Sequence, residues 1–112
     1  MREKDAVVFA VLVEGPSMAP TLRHGDTLLV RRRGREVRTG DVVVARFRSR
    51  PDLLVVKRAV RRQDGGWWLR SDNDVVTDDS RAYGVADVIG RVVCRYWPRP
   101  ARIRGGVVPA AD

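Results

Sequence analysis

The chain has 112 residues, of which 44 % are hydrophobic and 32 % charged, and this composition excludes wholesale disorder and predicts one domain with one modest core. Twenty-two basic and 14 acidic residues give a net charge of +8, but nearly all the basic residues are arginines spread along the chain, which favours a solvated arginine-rich surface over a nucleic-acid site. The single cysteine, Cys94, excludes an internal disulfide, and with the single histidine, His24, it cannot complete a zinc site, so we expect no metal and no cofactor.

The first predicted strand, Ala6–Val13, is also the longest apolar run in the chain. It is too short to cross a bilayer, because a membrane-spanning helix needs about 20 apolar residues. The residues that follow, Glu14-Gly15-Pro16, lack the small side chains of a signal-peptide cleavage site. Together with the absence of a disulfide pair, these features lead us to expect a cytoplasmic protein with no transmembrane anchor.

Further strands are predicted from short, valine-rich runs separated by Gly, Asp and Pro, a pattern typical of a small barrel or sandwich. These strands are Thr27–Arg32, Val42–Arg48, Leu53–Arg61, Trp67–Arg70 and Val88–Tyr96. Asp64-Gly65-Gly66 lies between two of them and predicts a hairpin. No segment has helical periodicity over more than a turn or two. We therefore predict an all-β fold of short antiparallel strands, with a domain over residues 1–97 and a frayed, flexible basic tail over residues 98–112.

One lysine lies on an otherwise apolar strand face. Alternation along the predicted strand groups Lys57 with Leu53, Val55 and Ala59. From the residues alone, we favour a lysine whose amine extends into water. Lysine differs from arginine in that burial lowers its pKa by up to ~3–5 units, from ~10.4, so that a buried amine becomes a usable general base.

One serine lies in a setting that suits a fixed nucleophile. Ser17 follows a predicted strand, Gly15 permits close approach of a backbone, and Pro16 and Pro20 stiffen the two flanks. The alternative is an ordinary Pro-Ser turn between two strands. A Ser-His-Asp triad is not favoured, because His24 lies in a turn-like His-Gly-Asp sequence near Ser17.

Several motifs follow one another in the order found in a known family. They are Gly15–Leu22 (GPSMAPTL), Thr39–Val44 (TGDVVV), Val56–Val60 (VKRAV), Ser71–Asn73 (SDN) and Asp79–Gly84 (DSRAYG). From about Val13 to Trp97 the chain resembles the type I signal peptidases, which are Ser/Lys-dyad endopeptidases with a β-rich fold. The stretches Asp52–Val60 and Asp64–Trp68 are most similar to the soluble branch of that family that matures nickel-type superoxide dismutase.

The resemblance implies a role for each matching residue. Ser17 corresponds to the nucleophile, Lys57 to the general base, and Thr77 to a hydroxyl residue that orients the lysine amine. The remaining matches are an acidic and a basic residue that brace the site, Asp79 and Arg81, and residues of the oxyanion site and substrate groove, Gly15, Met18 and Pro20.

The chain departs from the family in three places. The family's Gly-Asp-Asn motif begins with a glycine, and this chain has Ser71 at that position, so we expect the turn to differ. Gly15 stands where some members carry a hydroxyl that binds the oxyanion, so we expect backbone N–H groups, led by that of Ser17, to supply the donors. The family has an N-terminal membrane anchor, and we expect none here, because the 16 residues before Ser17 leave room for one strand.

The function implied by the resemblance is removal of an N-terminal leader from a precursor protein, with nickel-type superoxide dismutase as the substrate. The nickel would belong to that substrate. Two other functions stay open. One is a basic β-barrel module that binds nucleic acid through Arg31-Arg32-Arg33 and Trp67-Trp68. The other is a non-catalytic, signal-peptidase-like interaction domain.

Overall fold

The computed structural model describes residues 7–103, and almost all of the regular structure in this range is β-strand. The elements are β1 (Val8–Leu12), β2 (Thr27–Arg31), β3 (Val42–Phe47), β4 (Arg50–Gln63), β5 (Gly66–Arg70), α1 (Ser80–Tyr83), β6 (Ala86–Trp97) and β7 (Ala101–Arg102). The all-β prediction is confirmed. The predicted strands correspond to β1–β6, and β4 and β6 are longer than predicted because residues beyond the predicted runs also pair in the sheet.

All pairings among the described strands are antiparallel. The strands follow the order β1-β2-β6-β3-β4-β5, and β7 pairs with β6. A further pairing of Trp67 in β5 with Ala86 in β6 closes β6, β3, β4 and β5 into a small barrel. The long strand β6 pairs with β3 through its first half and with β2 through its second half, so it joins the barrel to the β1–β2 hairpin.

The strand β3 separates two hydrophobic cores, and its side chains alternate between them. Val42 and Val44 belong to the first core, and Val43, Ala45 and Phe47 belong to the second. This alternation follows from the two-residue period of a strand, and it explains why β3 is an almost continuous apolar run. Both cores support β4, the strand that carries Lys57.

The hairpin predicted at Asp64-Gly65-Gly66 joins β4 to β5. Asp64 and Gly65 have φ values of 51° and 77°, the left-handed conformation that two-residue hairpin turns need. At Gly66, a Cβ atom would lie 2.4 Å from the carbonyl oxygen of Ala86. A glycine is therefore needed where β5 approaches β6.

The structure describes only part of the segment that the sequence assigns to a flexible tail. Within that part, Ala101 and Arg102 pair with Arg95 and Cys94, and the Arg95 Nε donates to the carbonyl oxygen of Arg99. The rest of the predicted tail, residues 104–112, lies outside the described residues, as does Ala6. No helix within residues 7–103 has the length and apolar character needed to span a membrane.

Candidate active site

Strand β4 brings the Lys57 side chain into the interior. Lys57 is 4 % exposed and pairs with Val43 of β3, which is completely buried. Its Nζ atom donates a hydrogen bond to the Ser71 Oγ over 2.9 Å, and Ser71 is also buried. The amine therefore lies in the protein and does not extend into water.

The environment of Lys57 favours the neutral amine. Burial holds the pKa of Lys57 below its ordinary value, because desolvation penalises the ammonium form. The carboxylates of Asp79 and Asp78 oppose this decrease in the pKa, and Arg81 adds to it. A lowered pKa increases the fraction of neutral amine, which is the form that a general base requires.

The loop between β1 and β2 carries Ser17 and is anchored in the first core. Met18 and Leu22, on either side of its tight turn, are completely buried. The Leu22 N–H donates to the Met18 carbonyl over 2.9 Å, and the Ala19 N–H donates to the Pro16 carbonyl over 3.1 Å. Packing and hydrogen bonds thus hold the half-buried Ser17 in one place.

Gly15, two residues before Ser17, has a φ of +81°, which favours glycine. Its N–H donates to the His24 Nδ1 over 3.0 Å, which ties the start of the loop to its end. The N–H of Ser17 itself donates to no acceptor within residues 7–103. It is therefore available to an oxygen atom in the groove described next.

A groove of about 460 Å³ contains both Ser17 and Lys57 in its lining. One wall is formed by β1 and its continuation, 11–16, and the other by 53–57 of β4. Within the described residues, β1 pairs only with β2, and the part of β4 before Arg58 pairs only with β3. Each wall is therefore a strand with one unpaired edge.

The turn Ser71–Asn73, after β5, contacts both sides of the site. Ser71 accepts the hydrogen bond from Lys57, as described above. Asn73 donates from its backbone N–H to the Ser17 carbonyl over 2.9 Å and from Nδ2 to the Pro16 carbonyl over 3.0 Å. The turn therefore connects the strand of Lys57 to the loop of Ser17.

A second residue of this turn also fixes the loop. The Asp72 carboxylate accepts hydrogen bonds from the Thr21 hydroxyl, over 2.6 Å, and from the Arg58 guanidinium. Arg58 also donates to the Gly40 carbonyl, next to β3. Asp72, Asn73 and Arg58 were not predicted to belong to the site, although all three lie inside the sequence motifs described above.

Asp79 and Arg81 form a brace beneath the turn. Asp79 is fully buried and accepts hydrogen bonds from the Ser71 backbone N–H over 2.8 Å and from the Arg81 guanidinium through both carboxylate oxygens. Burial by itself raises the pKa of Asp79, but these hydrogen bonds outweigh it and hold the pKa below its ordinary value. Asp79 therefore stays ionised and fixes the backbone at Ser71.

The structure places three of the residues matched to the family away from the positions that the resemblance implies. Thr77 is exposed, and the hydroxyl that contacts the Lys57 amine belongs to Ser71. Met18 is buried in the first core, and Pro20 is exposed and lines a separate hollow with Ala19 and His24. Neither Met18 nor Pro20 lines the groove. Spacing along the motif does not reveal these differences, because they depend on side-chain direction.

An arginine covers one face of each tryptophan named in the nucleic-acid hypothesis. Trp67 is 7 % exposed, and the Arg62 guanidinium lies 5.4 Å from its ring centre. The Arg61 guanidinium lies 4.9 Å from the ring centre of Trp68. A base that stacked on either of these covered faces would have to displace an arginine.

Comparison with known proteins finds a peptidase family and relatives that are named as protease subunits. The model of the family described as Peptidase S24-like matches residues 1–93 of this chain. The mitochondrial inner membrane protease subunit 1 of Xenopus tropicalis is 31 % identical over an alignment that covers 79 % of this chain and 68 % of that protein. The subunits of the same name from Homo sapiens and Mus musculus are each 27 % identical, over 79 % of this chain and 69 % of the relative.

Proposed function

This chain belongs to the Peptidase S24-like family of signal-peptidase-like proteases, and we propose that it hydrolyses peptide bonds with Ser17 as the nucleophile and Lys57 as the general base. The observation that carries the proposal is the burial of Lys57 in the lining of the groove that also contains Ser17. A serine hydroxyl is a weak nucleophile until a neighbouring base accepts its proton. A buried lysine with a lowered pKa is such a base.

The first step is attack of the Ser17 Oγ on the carbonyl carbon of the substrate. Lys57 accepts the hydroxyl proton as the new C–O bond forms, and the carbonyl oxygen becomes an oxyanion. The Ser17 N–H, which has no acceptor within residues 7–103, supports a role as oxyanion donor. Loss of one such donor typically raises the barrier by ~2.7–4 kcal/mol.

The second step releases the products. The C–N bond breaks, and Lys57 returns its proton to the departing amine, which leaves an ester between Ser17 and the acyl part of the substrate. Lys57 then accepts a proton from a water molecule as the water oxygen attacks this ester. As the second tetrahedral species collapses, the acid is released and Lys57 returns the proton to the Ser17 oxygen, which restores the hydroxyl and the neutral amine.

The substrate enters the groove as an extended strand. The unpaired edges of β1 and β4 offer backbone N–H and C=O groups on the two walls, and an added strand satisfies such groups. Leu12 and Leu54 lie in this lining, are both more than 40 % exposed, and provide apolar contact to the substrate side chains. A folded segment does not fit between two strand edges, so the cleavage site has to be extended or unfolded.

We also propose that the substrate is a precursor protein whose N-terminal leader is removed, and that it is a precursor of nickel-type superoxide dismutase. The support is the similarity of Asp52–Val60 and Asp64–Trp68 to the branch of the family with that activity. Lys57 lies within the first of these stretches. In this proposal, the nickel is a metal of the processed superoxide dismutase and not of this protein.

The experiment is to incubate the purified precursor with the wild-type protein, with Ser17→Ala and with Lys57→Arg, and to determine the new N-terminus by mass spectrometry. We expect one cleavage by the wild type and none by either variant, because arginine does not lose its proton at working pH. Turnover by Lys57→Arg would remove Lys57 from the mechanism, and turnover by Ser17→Ala would indicate another nucleophile.

A library of unstructured peptides, incubated with the same proteins, separates the substrate from the activity. Cleavage of library peptides without cleavage of the precursor would contradict the proposed substrate alone. An intact library and an intact precursor would together contradict the proteolytic function.

The proposed location is the cytoplasm. The relatives differ in this respect, since their name places them at the mitochondrial inner membrane. Fractionation of cells that express the chain, with detection in the soluble and membrane fractions, tests the location.

A further inference from the structure

We propose that Ser71 is the positioning residue for the Lys57 amine, the role that the resemblance gives to Thr77. The inference rests on the proposed function, because it concerns the base of the same reaction. It assigns a role to a residue that stands where the family has a glycine, and a glycine has no hydroxyl to supply.

The geometry of the buried pair is the first argument. The Lys57 Nζ and the Ser71 Oγ are 2.9 Å apart, and both residues are at most 5 % exposed. A polar group at this depth costs free energy unless it has a partner, so the hydroxyl and the amine stabilise each other. The hydrogen bond fixes one N–H direction of the amine and thereby limits the rotamers open to the long lysine side chain.

The rigidity of Ser71 is the second argument. Its backbone N–H is held by the fully buried Asp79 over 2.8 Å, and Asp79 is held by the Arg81 guanidinium through both of its oxygens. A partner that is itself mobile does not orient an amine. Ser71 satisfies this condition because a charged, hydrogen-bonded network fixes its main chain.

The link to the nucleophile is the third argument. Two residues after Ser71, Asn73 holds the Ser17 carbonyl over 2.9 Å. The same turn is therefore hydrogen-bonded to the proposed base through Ser71 and to the residue of the proposed nucleophile through Asn73. Ser71 sets the position of the lysine relative to the loop that carries the serine.

Thr77 lies differently. Its side chain is exposed, and its carbonyl accepts a hydrogen bond from the Asp79 N–H over 2.8 Å. In this arrangement its contribution is to the backbone that precedes α1. Ser71→Ala and Thr77→Val are therefore the two variants to compare.

The sequence offers a direct measurement of the lysine, because Lys4 and Lys57 are its only lysines. In a Lys4→Arg background, labelling of lysine with ¹³C at Cε gives one resonance, whose titration by NMR reports the pKa of Lys57 without any substrate. Loss of the Ser71 hydroxyl removes an acceptor from the ammonium form, so we expect Ser71→Ala to lower this pKa by about one pH unit. Thr77→Val is expected to lower it less.

Kinetics with a cleaved peptide provide the second readout. Ser71→Ala is expected to lower kcat about ten- to a hundred-fold while KM changes little, because the substrate contacts stay in place and only the base is misplaced. The acidic limb of kcat/KM against pH should move to lower pH with the lysine pKa. Ser71→Thr keeps the hydroxyl and is expected to restore most of the rate.

Ser80→Ala is the matched control for a structural serine. Ser80 is 1 % exposed, and its Oγ accepts a hydrogen bond from the Leu69 N–H over 2.7 Å. Its removal should lower Tm and leave the Lys57 titration in place.

A Lys57 pKa that stays the same or rises in Ser71→Ala overturns the assignment, as does a larger decrease in Thr77→Val than in Ser71→Ala. The NMR result stands by itself if no peptide is cleaved. Failure of the protease proposal is therefore distinguishable from failure of the Ser71 proposal.

Discussion

The backbone N–H of Asn73 donates a hydrogen bond to the carbonyl oxygen of Ser17 over 2.9 Å, although the two residues lie 56 positions apart in the sequence. The Asn73 side chain adds a second bond, from Nδ2 to the Pro16 carbonyl. A turn that follows β5 thus fixes the loop that follows β1. The position of the proposed nucleophile therefore depends on a distant segment as much as on its own loop.

Asn73→Asp removes the Nδ2 donor and keeps an oxygen that is able to accept from the Val75 N–H, as the Asn73 Oδ1 does now. We expect kcat to fall about tenfold, because displacement of the loop misplaces the Ser17 hydroxyl. Steady-state kinetics on a cleaved peptide measure the change. Asp74→Ala, at the exposed neighbouring position, is the control, and equal losses in the two variants would contradict the role of the Nδ2 bond.

The buried amine makes stability depend on pH. The pKa of Lys57 is lower in the folded protein than the ~10.4 of an unfolded chain, so between these two values the unfolded chain holds more protons. The free energy of unfolding contributed by Lys57 therefore rises with pH across that window. The Lys57→Met variant has no titratable amine at this position, so it lacks this pH-dependent contribution to the free energy of unfolding.

The measurement is denaturant unfolding of the wild type and of Lys57→Met at pH 6, 8 and 10. We expect the wild type to gain stability relative to the variant as the pH rises. The sign of the difference at any single pH is not decisive, since the variant also leaves the Ser71 hydroxyl without its partner. Parallel stability curves would show that the pKa of Lys57 does not differ between the folded and unfolded states.

Asp79→Ala should be among the more destabilising substitutions at the site. The change removes the completely buried carboxylate that accepts hydrogen bonds from the Ser71 N–H and the Arg81 guanidinium. We expect a loss of about 2–4 kcal/mol in the free energy of unfolding, measured by urea denaturation. Asp52→Ala breaks an exposed pair with Arg50 and should change stability little.

The same carboxylate predicts a sensitivity to acid. Because the pKa of Asp79 is lower in the folded state, its contribution to stability is present above the unfolded pKa of ~3.9 and is lost as the pH falls through the folded pKa. Asp79→Asn should show a smaller loss of stability than the wild type when the pH decreases below about 4. Identical acid unfolding of the two proteins would contradict the ionised state of Asp79.

Gly66→Ala tests the close approach of β5 to β6. The added Cβ atom would lie 2.4 Å from the Ala86 carbonyl oxygen, a backbone atom that cannot move without shifting the sheet. We expect a loss of about 2–3 kcal/mol in the free energy of unfolding. Gly25→Ala, where the φ is +94° and a Cβ would meet no atom within 4 Å, should cost only about 1 kcal/mol of backbone strain. A smaller effect at Gly66 than at Gly25 would contradict the close approach.

Much of the fold was predictable from the sequence because its signals are local. Alternation of side chains along a strand has a period of two residues, and turns require particular residues, as at Asp64-Gly65. These rules predicted the strands β1–β6 and the hairpin between β4 and β5. The short helix α1 was not predicted, since four residues are too few to show a period.

The candidate site was predictable only in its outline. Ser17 and Lys57 stand out by residue type and by their neighbours, and the structure places both in one groove. Other assignments depended on matching positions to a motif. Thr77 was matched to the lysine partner, whereas the hydroxyl within hydrogen-bond distance belongs to Ser71.

The sequence by itself determined which segments are strands, where tight turns occur, and which serine and lysine are candidates for the chemistry. These properties follow from the conformational preferences of a residue and its near neighbours. Only the tertiary structure decided that the Lys57 amine is buried, that Ser71 is its partner and that Met18 belongs to the core. The physical reason is that desolvation and hydrogen bonding depend on distances through space, and β4, the Ser17 loop and the Ser71–Asn73 turn approach one another only when the sheet has closed.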